Sequence, residues 1–254
     1  MRRQMESRYG RDGRQNLFVV GVIVLCFIVT LGLSFIFSGK GFLSLAGVFG
    51  KEKTRTIYAV AVGGYDDMTL ARGSAELIRN RGGAGYIRQN ADDDNNKIEI
   101  IFAVYKDANS AEKVLSSLED RSAYVQEISI KESNLDWCEG DLKVACQNAM
   151  TYFDIAFDEM YDVSNSLNDN AISVGDAKTK IRVLYSHIED IKSVFYQKVQ
   201  NQDKPQITEI KLAIITALAL LDNVEYGSSA KCASSVRYQI VQLVYCYKSL
   251  CANV

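Results

Sequence analysis

Few side chains in this sequence have the type and spacing that chemistry needs. His187 is the only histidine, so any Ser-His-Asp set would have to run through it. It stands next to Glu189 and Asp190 on a stretch of helical periodicity, where a half-exposed surface residue is the simpler reading. No G-x-S-x-G, HExxH, P-loop or dinucleotide fingerprint occurs. Asp154, Asp158, Glu159 and Asp162 fall on adjoining helical turns, and glycan hydrolysis needs two carboxyl groups about 5 to 10 Å apart. The polar face of an amphipathic helix accounts for the same residues without catalysis. Asp92-Asp93-Asp94 lacks the alternating ligands and the final Glu of a calcium loop and reads as a solvated turn.

The six cysteines are Cys26, Cys138, Cys146, Cys232, Cys246 and Cys251. Cys26 lies in a long apolar run. The other five are odd in number and contain no C-x-x-C, which excludes complete pairing and a structural zinc site. Buried thiols packed between helices are one reading; a single bridge from Cys138 or Cys146 to the C-terminal group is the other. No catalytic residue, metal or cofactor is assigned.

The elements that would position these residues change character along the chain. It has 254 residues, 48% apolar and 24% charged, with one proline. That composition excludes wholesale disorder and suits long helices. Fourteen of the 17 glycines lie before residue 86. The net charge of -2 divides unevenly: residues 1–55 hold nine Lys/Arg against three Asp/Glu, which leaves 20 basic and 28 acidic residues in 56–254. The second part lacks the basic balance of a nucleic-acid binder.

Leu17 to Phe37 is an uncharged run of 21 residues, about 31 Å as a helix and long enough to span a bilayer core. It exceeds a signal-peptide core, although Ser44-Leu45-Ala46 resembles a weak cleavage site. Arg2, Arg3, Arg8, Arg11 and Arg14 precede it, so the positive-inside rule places the N-terminus in the cytoplasm and the remainder outside. The expected organisation is a basic cytoplasmic tail (1–16), a single transmembrane helix (17–37), a linker (38–55) and two extracytoplasmic domains.

The first of these, residues 56–131, contains a repeat with a shift of 40. Ile57 to Val62 is a strand-like run, Leu70 to Ile78 has helical spacing ended by Gly82-Gly83, and Tyr86-Ile87-Arg88 is strand-like again. Ile98 to Val104, the stripe Ala111, Val114, Leu115 and Leu118, and Tyr124 to Ile128 repeat that order. Tyr65 aligns with Tyr105, Asp67 with Asp107 and Ala71 with Ala111. Two β-α-β units predict a four-stranded antiparallel sheet with two helices on one face.

Val60-Ala61-Val62-Gly63-Gly64-Tyr65, followed by Asp66-Asp67 and Ala71, resembles the first half of a SPOR domain. The second half of such a domain resembles Ile100-Ile101-Phe102-Ala103-Val104-Tyr105 with Asp107, Ser110, Ala111 and Glu112. SPOR domains are the septal peptidoglycan-binding modules of bacterial division and sporulation proteins. The resemblance implies a βαββαβ fold that binds glycan strands stripped of stem peptides, and usually a membrane anchor. Where the family commonly has a polar residue, often Gln, this chain has Ala61. Where it carries a basic residue and a Gly-Pro pair stand Ile101 and Ala103-Val104. By period two, Val60, Val62, Ile98, Ile100 and Phe102 face the helices. The opposite, glycan-binding face is expected to hold Ala59, Ala61, Tyr86, Arg88, Glu99, Ile101, Tyr124 and Gln126, with Arg88 and Gln126 best able to hydrogen-bond sugar.

Residues 138–254 carry four apolar stripes at spacings of three and four, separated near Gly175, Pro205 and Gly227, and predict an antiparallel helical bundle. The stripe through Ile214-Ile215 and Leu218 to Leu221 is apolar on more than one face and should be deeply buried or form an interface. The expected fold class is therefore α+β: one N-terminal transmembrane helix, a ferredoxin-like or SPOR-like domain, and a helical bundle. Two functions follow. The first is a non-catalytic, membrane-anchored module that binds peptidoglycan glycan strands at a division or sporulation septum, alongside other proteins of those processes. The second is a protein-interaction or assembly subunit whose degenerate SPOR-like fold no longer binds glycan.

Overall fold

A computed structural model describes residues 54–89, 97–118 and 122–254. Its elements are β1 (Arg55–Tyr65), α1 (Met68–Asn80), β2 (Tyr86–Gln89), β3 (Ile98–Tyr105), α2 (Ala108–Ser117), β4 (Ala123–Ile130), α3 (Gly140–Asn168), α4 (Val174–Lys198), α5 (Pro205–Asp222) and α6 (Ser229–Asn253). The strands form one antiparallel sheet in the order β2-β3-β1-β4.

The expected fold class needs one correction. Among the described residues the chain is an α+β protein with six helices and a four-stranded sheet, and none of its helices is long and apolar enough to cross a membrane. The physical reason is visible in α5, the most apolar helix, whose 18 residues include Glu209, Lys211 and Asp222. The run 17–37, the tail 1–16 and Asp92 to Asp94 lie outside the described residues, as does nearly all of the linker.

Local chemistry explains where the helices begin. Asp67 and Asp107 are N-caps whose carboxylates accept from the backbone N–H of Thr69 at 2.6 Å and Ser110 at 2.8 Å, satisfying donors that the first turn leaves open. Ser173 and Asp176 make a reciprocal capping box on α4. Gly175 therefore lies inside the first turn of α4, and the chain breaks just before it. Pro205 opens α5 where its missing N–H costs nothing.

α1 and α2 lie on one sheet face through fully buried alanines, Ala71 and Ala75 on α1 and Ala111 on α2, against Val60, Ile98, Ile100 and Ala103. The small side chains let helix and sheet approach closely. A register shift at Val60/Ala61 leaves Phe102 as an extra residue in β3. The alternation reverses there, so Val104 shares a face with Ile101 and packs into the larger core with Ala59 and Ala61.

That larger core lies on the opposite face, where the C-terminal helices cover the sheet. α3 packs against α4 and α6, and α5 against α4 and α6, while α6 also touches β3, β4 and α1. Residues 53–254 form one compact unit of three layers. The turn before β2 is fastened to α6. Ser234 Oγ donates to the Gly83 carbonyl at 2.7 Å, and Arg237 donates to the Gly82 carbonyl at 2.6 Å. Gly85 in the same turn has φ +58°, and a Cβ there would sit 2.4 Å from the Ala75 carbonyl oxygen, so only glycine fits.

Candidate functional site

All eight residues expected to form the glycan face do share one side of the sheet. The pairings Ala59 with Gln126, Ala61 with Tyr124 and Ile101, Tyr86 with Ile101, and Arg88 with Glu99 set them side by side. The surface they make is not open. Ala59, Ala61 and Ile101 are each 0% exposed and Glu99 is 7% exposed. Tyr86, Arg88, Tyr124 and Gln126 are half-buried. The face expected to hold glycan is covered from within the same chain, because α6 lays a row of side chains across it.

Two tyrosines of α6 pack against the sheet face that was expected to hold glycan. The Tyr86 ring meets Tyr238 edge-on, with centroids 5.4 Å apart, and stacks on Tyr245 at 6.1 Å. Arg88 donates to the Tyr245 hydroxyl at 2.8 Å and lies 5.2 Å from the centre of that ring. It also pairs with Glu99 at 3.3 Å. Tyr124 donates to the second Glu99 oxygen at 2.5 Å. The result is a chain of polar groups, Tyr245–Arg88–Glu99–Tyr124, enclosed between sheet and helix.

Burial dominates the acidity of these groups. It pushes the Tyr245 hydroxyl up against the opposing pull of Arg88. It raises Tyr124 strongly, helped by the hydrogen bond to Glu99, and it raises Tyr86 with a smaller contribution from Tyr238. A neutral phenol is the form each site favours. Gln126 Oε1 is buried without a hydrogen-bond partner.

The acidic turns of α3 are also committed. Arg55 pairs with Asp154 and, at 3.1 Å, with Asp158; Lys106 reaches Asp158 at 3.2 Å and Asp162 at 3.3 Å. Burial raises the Asp154 carboxyl even though Arg55 pulls it down. These carboxylates fasten α3 to the ends of β1 and β3. A cavity of about 10 Å³ between β3, α3 and α6, lined by Tyr105, Tyr161, Ser164 and Arg237 among others, has room for one water. His187 is exposed on α4. Among the described residues no group of three His, Cys, Asp or Glu side chains is placed to hold a metal ion.

The five described cysteines are free thiols. Burial raises Cys146 to about 12, with neighbouring Cys138 adding to the shift, and raises Cys232, Cys246 and Cys251. Such thiols react slowly.

Tyr238, Tyr245, Ser234 and Arg237 carry the covering contact, and sequence reasoning did not single them out. A signal was present. Ser234, Arg237, Tyr238, Val241 and Tyr245 recur at spacings of three and four, which marks one helix face. Hydroxyl and guanidinium groups disguise that face as solvent-exposed. Comparison with family models, with curated proteins and with solved structures gives no match for the chain.

Proposed function

We propose that this chain is a non-catalytic interaction or assembly subunit whose SPOR-like sheet no longer binds glycan, because its own C-terminal helix fills the ligand face. The observation that carries this reading is the burial of Ala59, Ala61 and Ile101 beneath α6. A sugar strand needs an accessible surface with free donors, acceptors and aromatic area. Here Tyr86 stacks on Tyr238 and Tyr245, Arg88 is bonded to Tyr245, and Tyr124 to Glu99. Asp154, Asp158 and Asp162 of α3 support a structural role in the same way, since each is matched to Arg55 or Lys106.

The apolar side chains left on the surface are instead on helices. Leu70 and Leu77 of α1 are 65% and 63% exposed and lie two turns apart on one side. The test is co-sedimentation of the full chain with peptidoglycan stripped of stem peptides and with intact peptidoglycan. The chain should stay in the supernatant in both cases. Pelleting with the stripped polymer in particular would restore the glycan-binding function.

A further inference from the structure

Arg55, Arg88 and Lys106 each pair with a carboxylate where the sheet meets the helices. Arg237 of α6 does not. It is half-buried, it forms no ion pair among the described residues, and its hydrogen bond to the Gly82 carbonyl uses Nη1 alone. Burial pulls this guanidinium down against the opposing influence of Tyr105, Tyr161 and Asp169. Asp169, exposed just past the end of α3, stands beyond ion-pair reach. A guanidinium stays charged in a protein, so taking it out of water without an opposite charge is costly.

Arg237 lines the small cavity between β3, α3 and α6, and Tyr105, Tyr161, Ser164 and Asn165 supply the rest of its polar wall. No carboxylate lines it. Ser164 is engaged, its hydroxyl donating to the Tyr161 carbonyl at 2.9 Å. The Tyr105 and Tyr161 hydroxyls and the Asn165 amide make no side-chain hydrogen bond among the described residues. Burial pushes Tyr105 up to about 12, so its hydroxyl keeps a proton to donate. Two phenols, an amide and a guanidinium thus bring unclaimed donors to one cavity with no acceptor-only group among them. A water molecule would fill the space and leave the charge unmatched. A chloride ion is only slightly larger, accepts from N–H and O–H donors alike, and supplies the missing negative charge.

We propose that this cavity is a binding site for a small monovalent anion of chloride's size, held by Arg237 with Tyr105, Tyr161 and Asn165. A cavity of about 10 Å³ has no room for phosphate or sugar. Its walls come from the sheet and from two helices of the bundle, so a bound anion stabilises their docking. The site is independent of the covered sheet face and goes beyond the proposed subunit role.

The test is chloride-35 NMR of the full chain in an uncharged detergent, with sodium gluconate replacing sodium chloride at constant ionic strength. The wild-type chain should broaden the chloride line beyond detergent alone, and bromide should reverse the broadening. Chloride should also raise the thermal midpoint in a saturable way, by mass action, where gluconate does not. Arg237→Met should cut the protein-dependent broadening at least about fivefold, because the charge-assisted bonds are lost. That variant also gives up the bond to Gly82, so Tyr161→Phe provides a second reading. It keeps the charge and the ring, and it should weaken chloride binding severalfold with the far-ultraviolet circular dichroism unchanged. A wild-type chain that broadens the line no more than detergent does would overturn the proposal. Binding of wild-type strength in Tyr161→Phe, or in a folded Arg237→Met, would place the anion elsewhere and overturn it as well.

Discussion

Arg88, at the centre of the short edge strand β2, donates a 2.8 Å hydrogen bond to the hydroxyl of Tyr245, 157 residues further along the chain. This bond joins the edge of the sheet to the helix that covers the face expected to hold glycan. The same guanidinium faces Glu99 at 3.3 Å, so helix, sheet edge and central strand share one polar connection. Glu99→Ala would leave Arg88 and the Tyr124 hydroxyl without this carboxylate in a buried position. The expected loss is about 3 kcal/mol, read from urea unfolding, whereas Tyr245→Phe should cost about 1 kcal/mol. Equal and negligible losses for both variants would show that the cluster is solvated.

Ala61→Gln reintroduces the polar residue that the resemblance leads one to expect. Ala61 is fully buried, so the amide would enter an apolar layer without partners. The substitution should destabilise the protein by more than about 1 kcal/mol and confer no affinity for stripped glycan strands. A stable variant that gains such affinity would mean that the face is open.

Much of this sheet was legible from residue order alone, and the limits are informative. Alternation placed eight residues on one face correctly because side chains in a strand obey period two whatever lies above them. Asp67 and Asp107 marked helix starts because capping is local. The bulge at Phe102 could not be seen, since it depends on which residue of β1 stands opposite. The cover was hidden for another reason. Tyr238, Tyr245 and Arg237 look like surface residues until the sheet supplies Tyr86, Arg88 and the Gly82 carbonyl as partners. Long-range partners of this kind leave no mark in local periodicity.

Alkaline pH should unfold the protein through its buried phenols. The Tyr105 hydroxyl is raised from 10.0 to about 12, mainly by burial, and Tyr86, Tyr124 and Tyr245 are raised as well. A folded state that keeps its protons after the unfolded chain has lost them is fully stabilised below pH 10.0 and loses stability as pH climbs towards about 12. Urea midpoints should be flat below that window and fall within it, and Tyr105→Phe should flatten the decline. Phenolate absorbance that rises at the ordinary tyrosine pH with no change in the midpoint would contradict the burial of these groups.

The turn that connects α1 to β2 should tolerate no side chain at Gly85. A Cβ 2.4 Å from the Ala75 carbonyl oxygen, on a residue with φ +58°, strains the turn that α6 grips through Ser234 and Arg237. Gly85→Ala should lower stability by about 2 kcal/mol or more in thermal unfolding. Gly73→Ala is the control, because a Cβ there meets nothing within 4 Å.

Mass spectrometry of the unreduced protein should find no bridge linking Cys138 or Cys146 to Cys232, Cys246 or Cys251, in keeping with the free thiols. A quantitative bridge between those groups would require the helices to pack differently.

The covering of the sheet by α6 is tested most directly by a thiol placed beneath it. Ala59 is 0% exposed and packs in the shared core of sheet and bundle, and cysteine is a small enough apolar residue to stand there. In the Ala59→Cys variant, the rate of modification by a maleimide under native conditions should be about a hundredfold or more below the rate in denaturant, because labelling must wait for the helix to open. Modification of the native protein at the speed of an exposed thiol, above the background of the wild-type cysteines, would show an open sheet face and return the chain to the ranks of glycan-binding candidates.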